Sequence, residues 1–140
     1  MSLLSLALLP GLGRVRRLYR ALGSNNSLCE SRQYLNLGYW EDGTDTLDAA
    51  AECLAIRVAE TANIGPRDVV LDVGCGFAEH DMLWVRRYAP QNLIGVNISS
   101  EQLVMAAQLH PHRKRVNVGL IVADAVRLPF ADASFDAVLG

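Results

Sequence analysis

From Asp45 onward, Leu47, Ala51, Leu54, Val58 and Ala62 recur at steps of three and four, which lays them along one face of an amphipathic helix. Asp45 is placed to cap its start, and Gly65-Pro66 to close it. Beyond Pro66 the pattern changes. Residues 68–73 form a short run, rich in β-branched side chains and apolar on both faces, as buried parallel strands are. Residues 78–88 then read as a helix, 92–97 as a strand, 99–109 as a helix, and 118–123 and 135–139 as two more strands. This alternation predicts an α/β fold with an open, doubly wound, mainly parallel sheet, whose strand-to-helix loops gather along one edge where ligands bind. Upstream, Gly23-Ser24-Asn25-Asn26-Ser27 punctuates an N-terminal helical segment. We therefore divide the chain into a helical lid segment, 1–43, and a second domain, 44–140.

Composition narrows the class. The chain of 140 residues is 51% hydrophobic, with 13 Lys+Arg against 15 Asp+Glu, too apolar and too evenly charged to stay disordered. A net charge of -2 leaves no broad basic field, so nucleic acid is not an expected partner. Cys29, Cys53 and Cys75 make an odd number without a CxxC pair, which argues against a disulfide framework and against a zinc site, and fits a reducing, cytoplasmic compartment. Residues 1–9 are apolar but are broken by Pro10-Gly11, too short a run to span a bilayer. Leu3, Leu4, Leu8, Leu12, Val15 and Leu18 beside four arginines sketch an amphipathic stretch over 1–22 that either rests on a membrane or partner surface or packs on its own domain.

Candidate chemistry sits at the strand ends. After the first strand comes Asp72-Val-Gly74-Cys-Gly76-Phe-Ala78, where Gly74 and Gly76 let the chain turn sharply and a ligand approach the backbone. A dinucleotide loop would carry a third glycine where Glu79 stands, and a carboxylate there disfavours NAD and FAD. The spacing suits a loop that holds a zwitterionic amino-acid tail and a ribose. Asn97 closes the second strand within reach of ribose hydroxyls, and Ser99 with Gln102 forms a capping box for the next helix. Asp124 closes the third strand, where an acid can accept from an adenine amino group while the Ala125 amide meets a ring nitrogen.

Taken together, residues 70–78, 95–103 and 123–136 resemble the Rossmann-like, class I S-adenosylmethionine-dependent methyltransferases. The segment Tyr34-Leu-Asn-Leu-Gly-Tyr39-Trp40 resembles the lid of the branch that methylates small molecules, which includes tocopherol-, sterol- and antibiotic-tailoring enzymes. The resemblance implies S-adenosyl-L-methionine as cofactor. Asp72, Gly74 and Gly76 would hold its methionine end, Asn97 its ribose, and Asp124 with Ala125 its adenine, while Ile98 and Gln102 pack near the adenosine. Asn97 stands where an acid is commonest, and Ala78 where the family has a glycine. Tyr39 and Trp40 would close over the sulfonium, whose charge suits an aromatic face; the alternative for Trp40 is a large residue that anchors the lid to the core. The resemblance also implies three further strands, so the chain is expected to be an N-terminal half that is inactive alone, with its fourth strand as an apolar edge.

Methyl transfer to a small-molecule oxygen, nitrogen or carbon needs alignment in a dry cleft more than covalent help. Of the histidines, His80 reads as structural, and His110 and His112 are expected on the side of the sheet away from the crevice, so no catalytic base is assigned. A non-catalytic binding module on the same fold is the alternative.

Overall fold

The computed structural model describes residues 31–140. Four strands, β1 (Val69–Val73), β2 (Asn92–Asn97), β3 (Val118–Val122) and β4 (Ala137–Leu139), pair in the order β3-β2-β1-β4, every pair parallel. Helices α1 (Leu47–Ala62), α2 (Glu79–Tyr88) and α3 (Ser100–Leu109) and a 3-10 turn at Arg113–Val116 complete the order. The chain steps outward from β1 to β2 to β3, then returns across to β4. Strand order thus reverses beside β1, and a crevice opens there at the carboxyl ends of the strands. The expected doubly wound, parallel α/β architecture is present.

Local chemistry sets the boundaries. Helix α1 starts one residue later than the sequence suggests: the cap is Thr46, not Asp45, and its extended backbone lets its hydroxyl accept from the Ala49 amide at 3.2 Å. Its buried ridge is Ala50, Ala51, Ala55 and Ala59, side chains small enough to bring the helix close to its neighbours. Helix α3 is capped by Ser99, whose hydroxyl accepts from the Gln102 amide at 3.3 Å. Strand β4 is shorter than expected because Asp136 exchanges bonds with Val69 through its own amide and its Oδ2, and pairing in the ladder begins only after it.

The core lies on one face of the sheet. Val70, Leu93 and Val118 form a row across β1, β2 and β3, and pack with Ala55 and Ala59 of α1 and with Leu83, Trp84 and Val85 of α2. Each valine or leucine among them contributes roughly 1.5–3 kcal/mol when fully buried. Trp84 Nε1 donates to the Ala55 carbonyl at 2.7 Å, which fixes α2 against α1. On the opposite face, Leu71 is buried between Ile94 and Val138 of the adjacent strands, while Val138 is 61% exposed.

Ahead of α1, the chain is strapped along that helix. The Ser31 amide and hydroxyl both donate to Asp48 Oδ2 at 2.8 Å, the Tyr39 amide donates to the Ala50 carbonyl at 2.8 Å, and Tyr34 is buried. The amphipathic stretch 1–22 and Cys29 lie outside the described residues. Among the described residues no helix is long and apolar enough to cross a membrane.

Candidate functional site

Parallel pairing puts the ends of neighbouring strands side by side. Asp72 stands opposite Gly95, and Asn97 opposite Val122, two residues before Asp124. The ends of β1, β2 and β3 therefore surround one cavity of about 470 Å³. Asp72, Gly74, Gly76, Asn97, Ile98, Gln102, Asp124 and Ala125 all border it. Tyr39 and Trp40 do not. Tyr39 lies under the Arg57 guanidinium, 4.3 Å from its ring centre, and Trp40, 56% exposed, donates its indole N–H to the Leu37 carbonyl. That segment instead offers Leu35 and Asn36 to the cavity wall, together with Gln33 just before it.

Leaving β1, Gly74 (φ 95°) and Gly76 (φ 56°) take left-handed conformations that a side chain disfavours, and a Cβ built on Gly74 projects into open space. The Gly74 and Cys75 amides both donate to the Val96 carbonyl, at 2.8 and 3.1 Å, so the turn is clamped to β2. Ala78 adopts φ 60° just before α2, at the position where a glycine was the expected residue. Along the floor, Asn97 Nδ2 donates to Gln102 Oε1 at 2.6 Å and Asn97 Oδ1 accepts from the Ile98 amide at 3.0 Å. This pairing fixes the Asn97 amide on Gln102 of α3. Asp124 Oδ1 accepts from the Val126 amide at 3.1 Å and shapes the turn after β3.

Sequence reasoning missed part of the wall. Leu54, Ala55 and Val58 of α1 and Trp84 of α2 form its apolar side; Leu54 and Val58 were legible only as an apolar helix face, a pattern that core packing produces equally. His80 also borders the cavity, with Nε2 donating to Asp72 Oδ2 at 2.7 Å. His110 departs from expectation. The backbone leaves the helix there (φ −121°, ψ 66°), and the ring turns so that Nε2 lies 3.7 Å from Oε1 of Glu79, a cavity-lining residue. Burial lowers the His110 pKa, against the pull of the Glu79 carboxylate. Glu79 also faces Arg32 at 3.7 Å.

Behind Asp72 lies Asp81, fully buried on α2, with Oδ1 4.0 Å from His80 Nε2. Burial, and next the charge of Asp72, raise its carboxyl well above the ordinary value. A carboxyl oxygen of Asp72, one of Asp81 and a ring nitrogen of His80 all lie within 4.8 Å of one another, a grouping the sequence does not reveal.

The fold has counterparts among known proteins. The methyltransferase domain family matches residues 70–140. Erythromycin 3''-O-methyltransferase of Saccharopolyspora erythraea is 32% identical over 127 residues, which are 89% of this chain and 41% of that protein. The 27-O-demethylrifamycin SV methyltransferase of Amycolatopsis mediterranei is 36% identical over 109 residues, 74% of this chain and 38% of that one. The crystal structure of the [4+2]-cyclase SpnF superposes with a TM-score of 0.76 at 29% identity, covering 92% of this chain and 48% of that one. The chain spans less than half the length of each. Because the family match takes in the glycine turn, both neighbouring strand ends and half of all residues, the chain belongs to the methyltransferase domain family.

Proposed function

We propose that this chain supplies the cofactor half of an S-adenosylmethionine-dependent methyltransferase that acts on an oxygen of a small molecule. The observation that carries the reading is convergence: Asp72, Asn97 and Asp124, from the ends of three adjacent strands, border one cavity. The chemistry of the donor set fits the cofactor. An acid at the closed end suits an ammonium group, a turn without Cβ bulk suits a thioether tail passing close to backbone, and Asn97 and Asp124 suit ribose hydroxyls and an adenine edge. When bound, the cofactor supplies an electrophilic methyl group on a sulfonium. The task of the chain is to orient and to exclude water. Val58, Trp84 and Leu54 give the cavity a dry side, and Gln102 holds the Asn97 amide in one orientation. The oxygen acceptor is supported by the names of the two relatives, an erythromycin 3''-O-methyltransferase and a 27-O-demethylrifamycin SV methyltransferase. A cytoplasmic setting agrees with the free thiols of Cys53 and Cys75.

A second reading has its own support. SpnF is a [4+2]-cyclase, and a shared fold does not fix the reaction. On that reading the cavity still takes the cofactor, but no methyl group leaves it. Calorimetric titration of the chain with S-adenosylhomocysteine and with NAD tests the cofactor assignment: one-site binding of the first alone is expected, and Asp124→Ala should weaken it. Binding of neither ligand would overturn the methyltransferase reading. Transfer of labelled methyl to a hydroxyl-bearing acceptor then separates transferase from cyclase.

A further inference from the structure

We propose that Asp81 is a positioning residue for the methionine end of the cofactor: it carries a proton that it donates to Asp72, so that Asp72 presents one negative charge in one fixed orientation. The inference rests on the S-adenosylmethionine reading above.

The placement begins with strand alternation. Asp72 shares its sheet face with Val70 and so points toward α2, where its register neighbour on β2 is Gly95. That glycine makes the space. A Cβ there would lie 2.6 Å from Asp81 Oδ2 and 2.9 Å from the Cys75 sulfur. Asp81 fills the gap with no solvent exposure, and neither of its carboxyl oxygens meets a donor within hydrogen-bond distance. Two buried carboxylates side by side cannot both stay ionised, and an unsatisfied buried polar group costs about 1–3 kcal/mol. A neutral Asp81 resolves both problems, because its hydroxyl hydrogen then has an acceptor in Asp72, whose carboxylate oxygen lies within 4.8 Å. Burial acts in the same direction, holding the Asp81 carboxyl well above its ordinary range. The charge of the pair then sits on Asp72, which borders the cavity and already accepts from His80 at 2.7 Å. Gripped from two sides, Asp72 faces an incoming ammonium group without having to turn.

The test uses two probes, S-adenosylhomocysteine and 5'-methylthioadenosine, which has the same nucleoside but no amino-acid tail. Binding of each to the parent chain, Asp81→Leu and Asp81→Asn is measured by calorimetry, with melting curves to confirm folding. Leucine keeps the shape without a donor; asparagine keeps an N–H that can replace the carboxyl hydrogen. The expected result is about tenfold weaker binding of S-adenosylhomocysteine to Asp81→Leu, the size of one hydrogen bond to a charged group. Methylthioadenosine binding should stay unchanged, and Asp81→Asn should restore the affinity. Equal loss for both probes, or no loss at all, would overturn the assignment, as would a folded Asp81→Asn that binds as poorly as Asp81→Leu. Stoichiometric Mn²⁺ binding to the parent chain that Asp81→Asn abolishes would overturn it too, since a cation would then hold the pair together. A parent chain that binds neither probe would overturn the cofactor reading itself, and the inference with it.

Discussion

At Gly95 and Ala78 single atoms decide the geometry of the site. Gly95→Ala would push a methyl group against Asp81 and Cys75, and overpacking of this kind costs about 1–3 kcal/mol. Chemical denaturation should register that loss, and an unchanged midpoint would mean that α2 yields more readily than its packing suggests. Ala78 poses a balance of two effects. Its left-handed backbone strains any residue with a Cβ by about 1–2 kcal/mol, yet its buried methyl contributes roughly 0.8 kcal/mol of burial. Ala78→Gly should therefore stay within about 1 kcal/mol of the parent, whereas Ala78→Val, branched at the strained position, should lose more than about 2 kcal/mol. Asp81 gives a pH signature. In the unfolded chain it ionises near its ordinary value of about 3.9, while the folded chain keeps it protonated to much higher pH. Unfolding therefore releases a proton above that pH, which penalises the folded state there and not below. Asp81→Asn removes the penalty. It should melt higher than the parent at pH 7, by a margin that shrinks toward pH 4; a margin that stays constant would count against a protonated Asp81.

Helices α1 and α2 are joined by a polar bond beside the apolar contacts of Ala55, Ala59, Leu83 and Val85. Trp84→Phe removes the indole donor to Ala55 and should cost about 1–2 kcal/mol, seen as a lower melting temperature with the fold retained. Ser99→Ala strips the cap of α3 and should cost about 1 kcal/mol. The elements themselves were legible in the sequence because local signals agreed. Alternating strand and helix periods, the Ser99 cap and the glycine turn each marked a boundary within a residue or two. Disagreement arose where two adjacent residues offered the same service, as Asp45 and Thr46 did for α1, and where a tertiary bond overrode a local pattern, as Asp136 did in shortening β4.

Across the whole molecule, the polar strand ends that border the cavity could be read from sequence because parallel strands end in register. The apolar wall and the Asp81 pair could not, since nothing local distinguishes an α1 residue that lines a cavity from one that fills a core, or tells that Gly95 and Asp81 share one space. The sheet also leaves Val138 open on β4, whose far side pairs with no other described strand. Such an edge invites association. Light scattering of the 140-residue chain should rise with concentration, and Val138→Lys should reduce it. Finally, Cys75, within the glycine turn, is fully buried beside Gly95, and burial pushes its thiol far above the range in which a thiolate forms near neutral pH. It stays silent toward electrophiles while that turn is shut, whereas Cys53 is partly exposed. The rate at which a disulfide reagent consumes Cys75 in native protein becomes a clock for how often the loop breathes, and any ligand that fastens the loop should slow it.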